Sequence, residues 1–179
     1  MKIVENDKNS KEWFAVAFEQ EFASQTHNVL YTGVGKINAA MATQKLIDTH
    51  QVSKIINIGT AGAKPGTAQP GTVYTIGAVI DRDSDIPGRR REIIKTHQAT
   101  HHVCATGDSF ITRWDNMHYE IVDMEAFAIA AVCQANNIQF ECYKFISDNG
   151  SNNDWARALA ACNKRFNEMF AKRLQKQKM

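Results

Sequence analysis

The stretch Ile121–Gly150 constrains the fold of this chain more than any other. It reads IVDMEAFAIAAVCQANNIQFECYKFISDNG: an acidic turn, an apolar helix, and a strand that ends in a second acidic turn. The helix is apolar around nearly its whole circumference, which is typical of a helix that lies inside a protein. Glu125 opens this helix, and Asp148 ends the strand Phe140–Ser147. Both acids thus lie where the chain leaves the core, which is where open α/β sheets bind ligands.

Each acid also has a purely structural explanation. A carboxylate such as Glu125 stabilises the positive end of a helix dipole. The sequence Asp148-Asn149-Gly150 is favourable for a turn in its own right. These residues alone therefore leave a structural and a functional interpretation equally open.

Strands and helices alternate along the rest of the chain. Short apolar runs predict buried strands at Trp13–Phe18, Asn28–Thr32 and Lys54–Ile58. An alanine-rich helix is predicted from Ile37 to about His50, and Gly59–Gly62 is predicted to be a glycine turn.

The second half continues this pattern. Gly71–Val79 predicts a long antiparallel strand, Asp81–Arg91 a charged exposed loop, and Val103–Thr106 a short strand. A helix with one apolar face is predicted over about Asn153 to Gln175. We therefore expect one α/β domain over residues 1–179, with a central mixed β-sheet flanked by helices and a polar lead-in over residues 1–11.

Composition excludes several classes of protein. Lysine and arginine number 21 against 19 aspartate and glutamate residues, so the chain lacks the basic field of a nucleic-acid-binding protein. Its four cysteines stand singly, which favours buried reduced thiols. Met1–Ser10 is polar, and no apolar run approaches the ~18 residues of a membrane span. These features predict a cytoplasmic protein without nucleic-acid or membrane partners.

Acidic or glycine-rich turns follow several of the predicted strands. They are Glu19–Glu21, Gly59–Gly62, Gly107–Ile111 and the pair Glu125/Asp148. In a sheet wound this way, such turns can converge on one cleft.

The residues around these turns resemble the nucleoside phosphorylase/nucleosidase superfamily, and most closely the 5′-methylthioadenosine/S-adenosylhomocysteine nucleosidases. The motifs that carry the resemblance are TGVGKINAA (32–40), IINIGTAGA (55–63), TGDSFI (106–111), VDMEAFAIA (122–130) and ISD (146–148). Each motif is short, but all five occur in the order that the family has, and the resemblance extends over roughly Trp13–Gly62 and Cys104–Asn149, most of the chain.

The resemblance implies a role for each matching residue. Asp148 is expected to be the general acid that protonates N7 of a purine, and Glu21 the carboxylate that activates water. Glu125, with Met124, is expected to hold the ribose hydroxyls.

Further positions are expected to bind the substrate. Phe110 stacks on the base and the Ile111 backbone reads its edge. Thr60 stands where the nucleosidases have a serine. Lys144 stands where they usually have an arginine, which conserves the charge but is expected to orient the acids less rigidly. The remaining substrate-binding positions are Phe18, Ala61 and Gly62.

The chemistry of N-glycosidic cleavage explains these residue types. Positive charge develops on the ribose and negative charge on the departing purine, so an acid at the purine and a carboxylate-held water divide the task, as in inverting glycosidases. Asp148 must keep its proton near neutral pH to act as the acid. No cofactor or metal is required.

One position favours water over phosphate as the nucleophile. Phosphorylases of the superfamily place an arginine just before the glycine turn, where this chain has Asn57. A phosphate without a guanidinium loses a strong bidentate contact. Arg82 and Arg89–Arg91 are charged loop residues for which we favour a solvated position over phosphate binding.

Two other functions stay open at this stage. One is a phosphate-dependent phosphorylase. The other is a non-catalytic nucleoside-binding protein, which stays open because the segment between Gly71 and Val103 is shorter than in the family. His97, His101 and His102 lack the pattern of a metal site. The expected ligand is a small-molecule purine nucleoside, and the resemblance implies a homodimer.

Overall fold

A computed structural model of the protein describes residues 1–84, 92–111, 114 and 119–149, together with a helix over residues 152–177. Within that helix, side chains are described for residues 157–171.

The strands of this described part form one mixed sheet. They are β1 (Lys2–Val4), β2 (Glu12–Val16), β3 (Asn28–Tyr31), β4 (Lys54–Ala63), β5 (Val73–Ile76), β6 (Ala78–Asp81), β7 (Ile93–Lys95), β8 (Val103–Thr106), β9 (Ile121–Asp123) and β10 (Gln139–Asp148). The strand order is β1-β3-β2-β4-β9-β8-β6-β7, and β10 pairs with β4 and β5. The predicted mixed sheet is confirmed.

Helices cover both faces of the sheet. They are α1 (Lys36–Thr49), α2 (Ala126–Ala135) and α3 (Asn152–Gln177). Because strand side chains alternate between faces, Trp13 and Ala15 of β2 join the apolar core beneath α1 and α2. Phe14 and Val16 join a second core with Phe166 and Phe170 of α3. The central sheet thus lies between two layers of helices, as predicted.

Gly59–Gly62 is part of β4, so the prediction of a glycine turn there is wrong. The strand continues because β10 runs parallel to it, with Lys144 opposite Gly59 and Asp148 opposite Gly62. Glycine serves here to leave space: a Cβ on Gly59 would lie 3.3 Å from a carboxylate oxygen of Glu21.

The predicted single strand Gly71–Val79 is divided at Gly77. Its first part, β5, is antiparallel to β10, and its second part, β6, is parallel to β8. A Cβ on Gly77 would lie 1.9 Å from the carbonyl oxygen of Thr100, so only glycine permits this contact between backbones.

Three short strands were not predicted. In the polar lead-in, β1 pairs antiparallel with β3, and the Asn28 side chain accepts hydrogen bonds from the backbone of Asn6 and Asp7, each at 2.8 Å. The other two, β7 and β9, have three residues each, too few for a readable alternation. Residues 85–91 of the predicted charged loop lie outside the described residues.

All four cysteines are free and buried, as the sequence predicted. Across the part of the chain that is described, no helix has both the length and the apolar character that crossing a bilayer demands.

Candidate active site

A cavity of about 340 Å³ lies where β2, β4, β6, β8, β9 and β10 end. Every residue that the sequence assigned to the site lines this cavity except Lys144. The residues that it brings together are Phe18, Glu21, Thr60, Ala61, Gly62, Phe110, Ile111, Met124, Glu125 and Asp148. The carboxylates of Glu21, Glu125 and Asp148, far apart in sequence, therefore face one volume.

The Glu21 carboxylate is held from the side of β4. A turn between Phe18 and Glu21 follows β2, and Oε2 accepts a hydrogen bond from the Phe18 N–H at 3.2 Å. Oε1 accepts bonds from the Thr60 N–H at 2.8 Å and from the Thr60 hydroxyl at 2.6 Å. Burial raises the pKa of Glu21, and the hydrogen bonds from Thr60 offset this effect only in part. The carboxyl group is thus fixed in position, and its pKa lies above the ordinary value for a glutamate.

Asp148 ends β10 and is buried, with 4% of its surface exposed. The Ser147 hydroxyl lies 2.7 Å from Asp148 Oδ2 and 3.2 Å from the carbonyl oxygen of Ala61. The hydroxyl donates to Oδ2 and so holds the Asp148 carboxyl group in position at the end of β10.

Glu125 precedes α2 without capping it. Its Oε1 instead accepts a hydrogen bond from the Gly35 N–H at 2.9 Å, at the start of α1. Burial and the nearby Asp123 carboxylate raise the pKa of Glu125 to about 8, although Lys144 and the Gly35 N–H act against this. The Glu125 side chain therefore does not cap its own helix but links the start of α2 to the start of α1.

Asp123 is a residue of the site that sequence reasoning missed. Its Oδ2 accepts bonds from the N–H groups of Glu125 at 3.3 Å and Ala126 at 2.8 Å, so Asp123 caps α2. Its Oδ1 accepts a bond from the Thr106 hydroxyl at 2.6 Å. An aspartate three residues before the first residue of the apolar helix was the available signal, since aspartate is a preferred cap.

Lys144 lies behind the cavity, against Asp123. Its ammonium is 2.7 Å from Asp123 Oδ2, and the two side chains are 2% and 0% exposed. Burial opposes both charges, but other contacts together outweigh it: Lys144 and the hydrogen bonds from Thr106 and Ala126 lower the pKa of Asp123, and Asp123 with other nearby acidic groups raises the pKa of Lys144. The expected role of Lys144 in substrate binding stays a prediction. Its position beside Asp123 indicates that it stabilises the turn that carries Glu125.

Apolar residues form the rest of the wall. Phe110 is 46% exposed and lies at the rim, and Ile111 follows it. Val34, Val122 and Met124 also face the cavity. Such a lining suits a flat heterocycle with a small number of polar attachment points.

Arg82 is not the solvated loop residue that the sequence predicted. Its side chain is 7% exposed and lines the cavity. Its guanidinium donates to the Ser109 hydroxyl at 3.2 Å and to the Ser109 carbonyl. Arg82 directly follows β6, whose residues Val79 and Ile80 are buried, so its side chain lies inside the protein rather than in a solvated loop. Arg89–Arg91 lie outside the described residues.

Asn57 faces the core. Its amide donates to the Ala15 carbonyl at 3.0 Å, and its oxygen lies 3.5 Å from Cys142 Sγ. His97 lies against the backbone of Phe140, with Nδ1 3.1 Å from the backbone nitrogen. Among the residues described, no group of three or more histidine, cysteine, aspartate or glutamate side chains is arranged to hold a metal ion.

Known proteins with related sequences are nucleosidases. The 5′-methylthioadenosine/S-adenosylhomocysteine nucleosidase of Oceanobacillus iheyensis is 31% identical over 153 residues, and that of Bacillus cytotoxicus is 29% identical over 156 residues. Each alignment covers 67% of this chain and 67% of the relative.

Solved structures show the same fold. The Streptococcus pneumoniae MTA/SAH nucleosidase in complex with 8-aminoadenine superposes with a TM-score of 0.74 at 21% identity, covering 87% of this chain and 95% of that one. A family model described as "Phosphorylase superfamily" matches residues 5–109, more than half of the chain. The protein therefore belongs to the phosphorylase superfamily.

Proposed function

We propose that the protein hydrolyses the N-glycosidic bond of a purine nucleoside, with adenine as the favoured base and a methylthioadenosine- or S-adenosylhomocysteine-like substrate. One observation carries the proposal: Glu21, Glu125 and Asp148 line a single cavity of about 340 Å³. That volume lies within the range of small-ligand sites. The names of the related nucleosidases support the same substrate class.

In the proposed reaction, Asp148 donates a proton to N7 of the purine while the bond between N9 and C1′ of the ribose breaks. The bonding electron pair leaves with the base, and positive charge develops on the sugar. Glu21 takes a proton from a water molecule, whose oxygen forms the new bond to C1′. The products are the free base and a ribose derivative, and Glu125 binds the ribose hydroxyls throughout.

Thr60 supports the proposed role of Glu21. A carboxylate that acts as a general base must keep its orientation through the reaction. The two hydrogen bonds from Thr60 to Oε1 of Glu21 leave this carboxylate little freedom to rotate. The pKa of Glu21 is raised by burial, which makes the carboxylate a stronger acceptor for the water proton.

Water is the proposed nucleophile because no cation lies at the Glu21 end of the cavity among the described lining residues. Asn57, which stands in place of the phosphorylase arginine, directs its amide to the Ala15 carbonyl in the core. A phosphate dianion at that end would lie beside Glu21 without a guanidinium to balance its charge.

A base-release assay tests the proposal. Methylthioadenosine, S-adenosylhomocysteine, adenosine, inosine and futalosine are each incubated with the protein, with and without inorganic phosphate. The proposal predicts adenine release at equal rates in both conditions. Release that depends on phosphate would identify a phosphorylase, and binding without release from any of the five would identify a non-catalytic nucleoside-binding protein.

A homodimer, which the family resemblance implies, and a cytoplasmic location, which the sequence composition predicts, accompany this proposal. Sedimentation velocity decides the first: a single species at the mass of one 20.1 kDa chain would contradict the dimer.

A further inference from the structure

Asp108 belongs to the motif TGDSFI (106–111) but has no task in the proposed hydrolysis. It stands two residues before Phe110 and three before Ile111, the residues expected to bind the base. Those two residues and Ser109 line the cavity, whereas the Asp108 side chain is 46% exposed. Its carboxylate nevertheless makes specific contacts with the start of α1.

The helix α1 begins without a side-chain cap of its own, because its N-cap residue is Gly35. Asp108 supplies the cap from a distant segment: its Oδ1 accepts a hydrogen bond from the Lys36 N–H at 2.8 Å. Gly35 allows this approach, since a Cβ there would lie 3.1 Å from the same oxygen and its φ of +92° is one that glycine adopts without strain. The carboxylate thus satisfies an N–H that the helix leaves unpaired and faces the positive end of the helix dipole.

The neighbouring N–H of the same helix start holds the ribose acid. The Gly35 N–H donates to Glu125 Oε1 at 2.9 Å, and the next N–H along the chain, that of Lys36, donates to Asp108. Glu125 is expected to hold the ribose, and Asp108 precedes the residues expected to bind the base. The two halves of the proposed substrate site are therefore attached to consecutive peptide groups.

The base-binding segment, residues 107–111, is also attached to the residues that follow β6. The Asp108 N–H donates to Asp83 Oδ2 at 2.8 Å, and the same oxygen is 2.9 Å from the Lys36 ammonium. The Arg82 guanidinium donates to both the hydroxyl and the carbonyl oxygen of Ser109. The chain is thus held from two sides immediately before the residue expected to stack on the base.

Phe110 depends on these attachments for its position. With 46% of its surface exposed, Phe110 is fixed by packing less firmly than a core residue. A base stacked on Phe110 must present N7 to Asp148 while its ribose reaches Glu125, and a misplacement of about 1 Å lowers the rate of such a reaction steeply. The base-binding segment must therefore keep a constant position relative to Glu125.

We propose that Asp108 is a positioning residue: by capping α1, it holds the base-binding segment at a fixed distance from the ribose-binding Glu125. This inference rests on the proposed nucleosidase function and adds to it a residue that acts through others. Arg82 and Asp83 hold the same segment from the side of β6, and Asp108 ties it to the helix start that holds Glu125.

The test compares D108A, which loses the cap, with D108N, which keeps an oxygen that can accept the Lys36 N–H. D48A, an exposed substitution of the same kind on α1, is the control. Adenine release from methylthioadenosine gives kcat and KM for each protein, and calorimetry gives the affinities for adenine and for tubercidin. Tubercidin is 7-deazaadenosine, which has no N7 to protonate and therefore reports the binding of base and ribose without cleavage.

D108A is expected to bind adenine about fivefold more weakly, the effect of losing a typical helix cap. The loss for tubercidin is expected to be larger, because tubercidin must reach Glu125 as well. We expect kcat to fall too, since a displaced base is poorly oriented for protonation. D108N is expected to recover most of these losses, and D48A to match the wild type. A purely structural role of Asp108 would lower the free energy of unfolding and leave kcat and both affinities of the folded protein unchanged.

A second pair of variants removes the donor instead of the acceptor. K36P lacks the N–H that Asp108 accepts, at the first position of a helix, where proline is well tolerated. K36M keeps that N–H and, like K36P, lacks the ammonium, so the difference between the two isolates the hydrogen bond. K36P is expected to fall below K36M in adenine affinity and kcat by about the factor that separates D108A from the wild type. This pair decides the outcome if circular dichroism shows that D108A is not folded.

Three results would overturn the inference and leave the nucleosidase function intact. They are wild-type kcat and adenine affinity in D108A, equal losses in D108N and D108A, and equal values in K36P and K36M. If the wild type binds adenine but releases none from methylthioadenosine, the proposed function fails, and the two affinities alone decide the role of Asp108. If the wild type neither binds these ligands nor releases base, the function and the inference fail together.

Discussion

The Lys144 ammonium lies 2.7 Å from the Asp123 carboxylate, in a place where neither side chain reaches solvent. The same carboxylate accepts bonds from the Glu125 and Ala126 N–H groups. One buried charge thus balances another, and together they fix the turn between β9 and α2. The orientation of Glu125 depends on that turn.

Replacing Lys144 by methionine is expected to lower the free energy of unfolding by about 3–5 kcal/mol, because it leaves the Asp123 charge buried without its partner. Urea unfolding at pH 7 measures the change. K164M, an exposed substitution of the same kind in α3, is expected to have little effect.

The double variant D123N/K144M separates charge from packing. It removes both charges and keeps a side chain that can cap α2, so it is expected to recover part of the stability lost in K144M. A double variant less stable than K144M would show that charge pairing is not what Lys144 contributes.

Asp148→Asn tests the proposed general acid. The amide keeps the shape of the side chain but cannot give up a proton to the purine, so kcat is expected to fall at least ~10²-fold while the ligand still binds. Adenine release at timed intervals measures kcat, and calorimetry with methylthioadenosine measures ligand binding. D48N, at an exposed position of α1, serves as the control; near-normal turnover of D148N would remove Asp148 from the mechanism.

Thr60→Val removes the hydroxyl that donates to Glu21 Oε1 at 2.6 Å and keeps the volume of the side chain. We expect kcat to fall by about tenfold, since a catalytic carboxylate that loses an orienting hydrogen bond spends less time in the reactive position. T60S keeps a hydroxyl and is expected to lose less than T60V. A loss in T60S with none in T60V would show that the methyl group of Thr60, rather than its hydroxyl, is what the site requires.

The sequence predicted the elements whose patterns are long, and the acids whose motifs are intact. The helices α1 and α3 and the buried strand β10 follow from periodicity and apolar runs. The placement of Glu21, Glu125 and Asp148 around one cavity follows from motifs that resemble those of a family. Local patterns were sufficient to predict a helix or strand wherever the pattern lies within that one element.

The errors have a common physical origin in contacts between distant segments. Gly59 was predicted to lie in a turn and Gly77 within one long strand, but each is a glycine because something approaches it closely: the Glu21 carboxylate in one case and the Thr100 carbonyl in the other. Arg82 was predicted to be solvated, yet its guanidinium donates a hydrogen bond to Ser109 and packs against Gly107, where the lack of a side chain leaves room for it. No local pattern reports such contacts, because the partner lies far away in the sequence.

Glu125 predicts how stability depends on pH. Its pKa is raised to about 8 in the folded protein, by burial first and by Asp123 next, from an ordinary value of 4.5. Between these two values the folded state holds the proton more tightly than the unfolded state does. The stabilisation is therefore fully present below pH 4.5 and is lost as the pH rises towards 8.

Glu125→Gln removes this proton and keeps an oxygen that can accept the Gly35 N–H. We expect the wild type to lose stability relative to E125Q as the pH is raised from 5 to about 8.5, measured as the difference in free energy of unfolding by urea at each pH. E120Q, at an exposed site, is the matched control and is expected to follow the wild type. Because every other titrating group is common to the wild type and E125Q, a difference that stays constant across this range would mean that Glu125 titrates alike in the folded and unfolded chains.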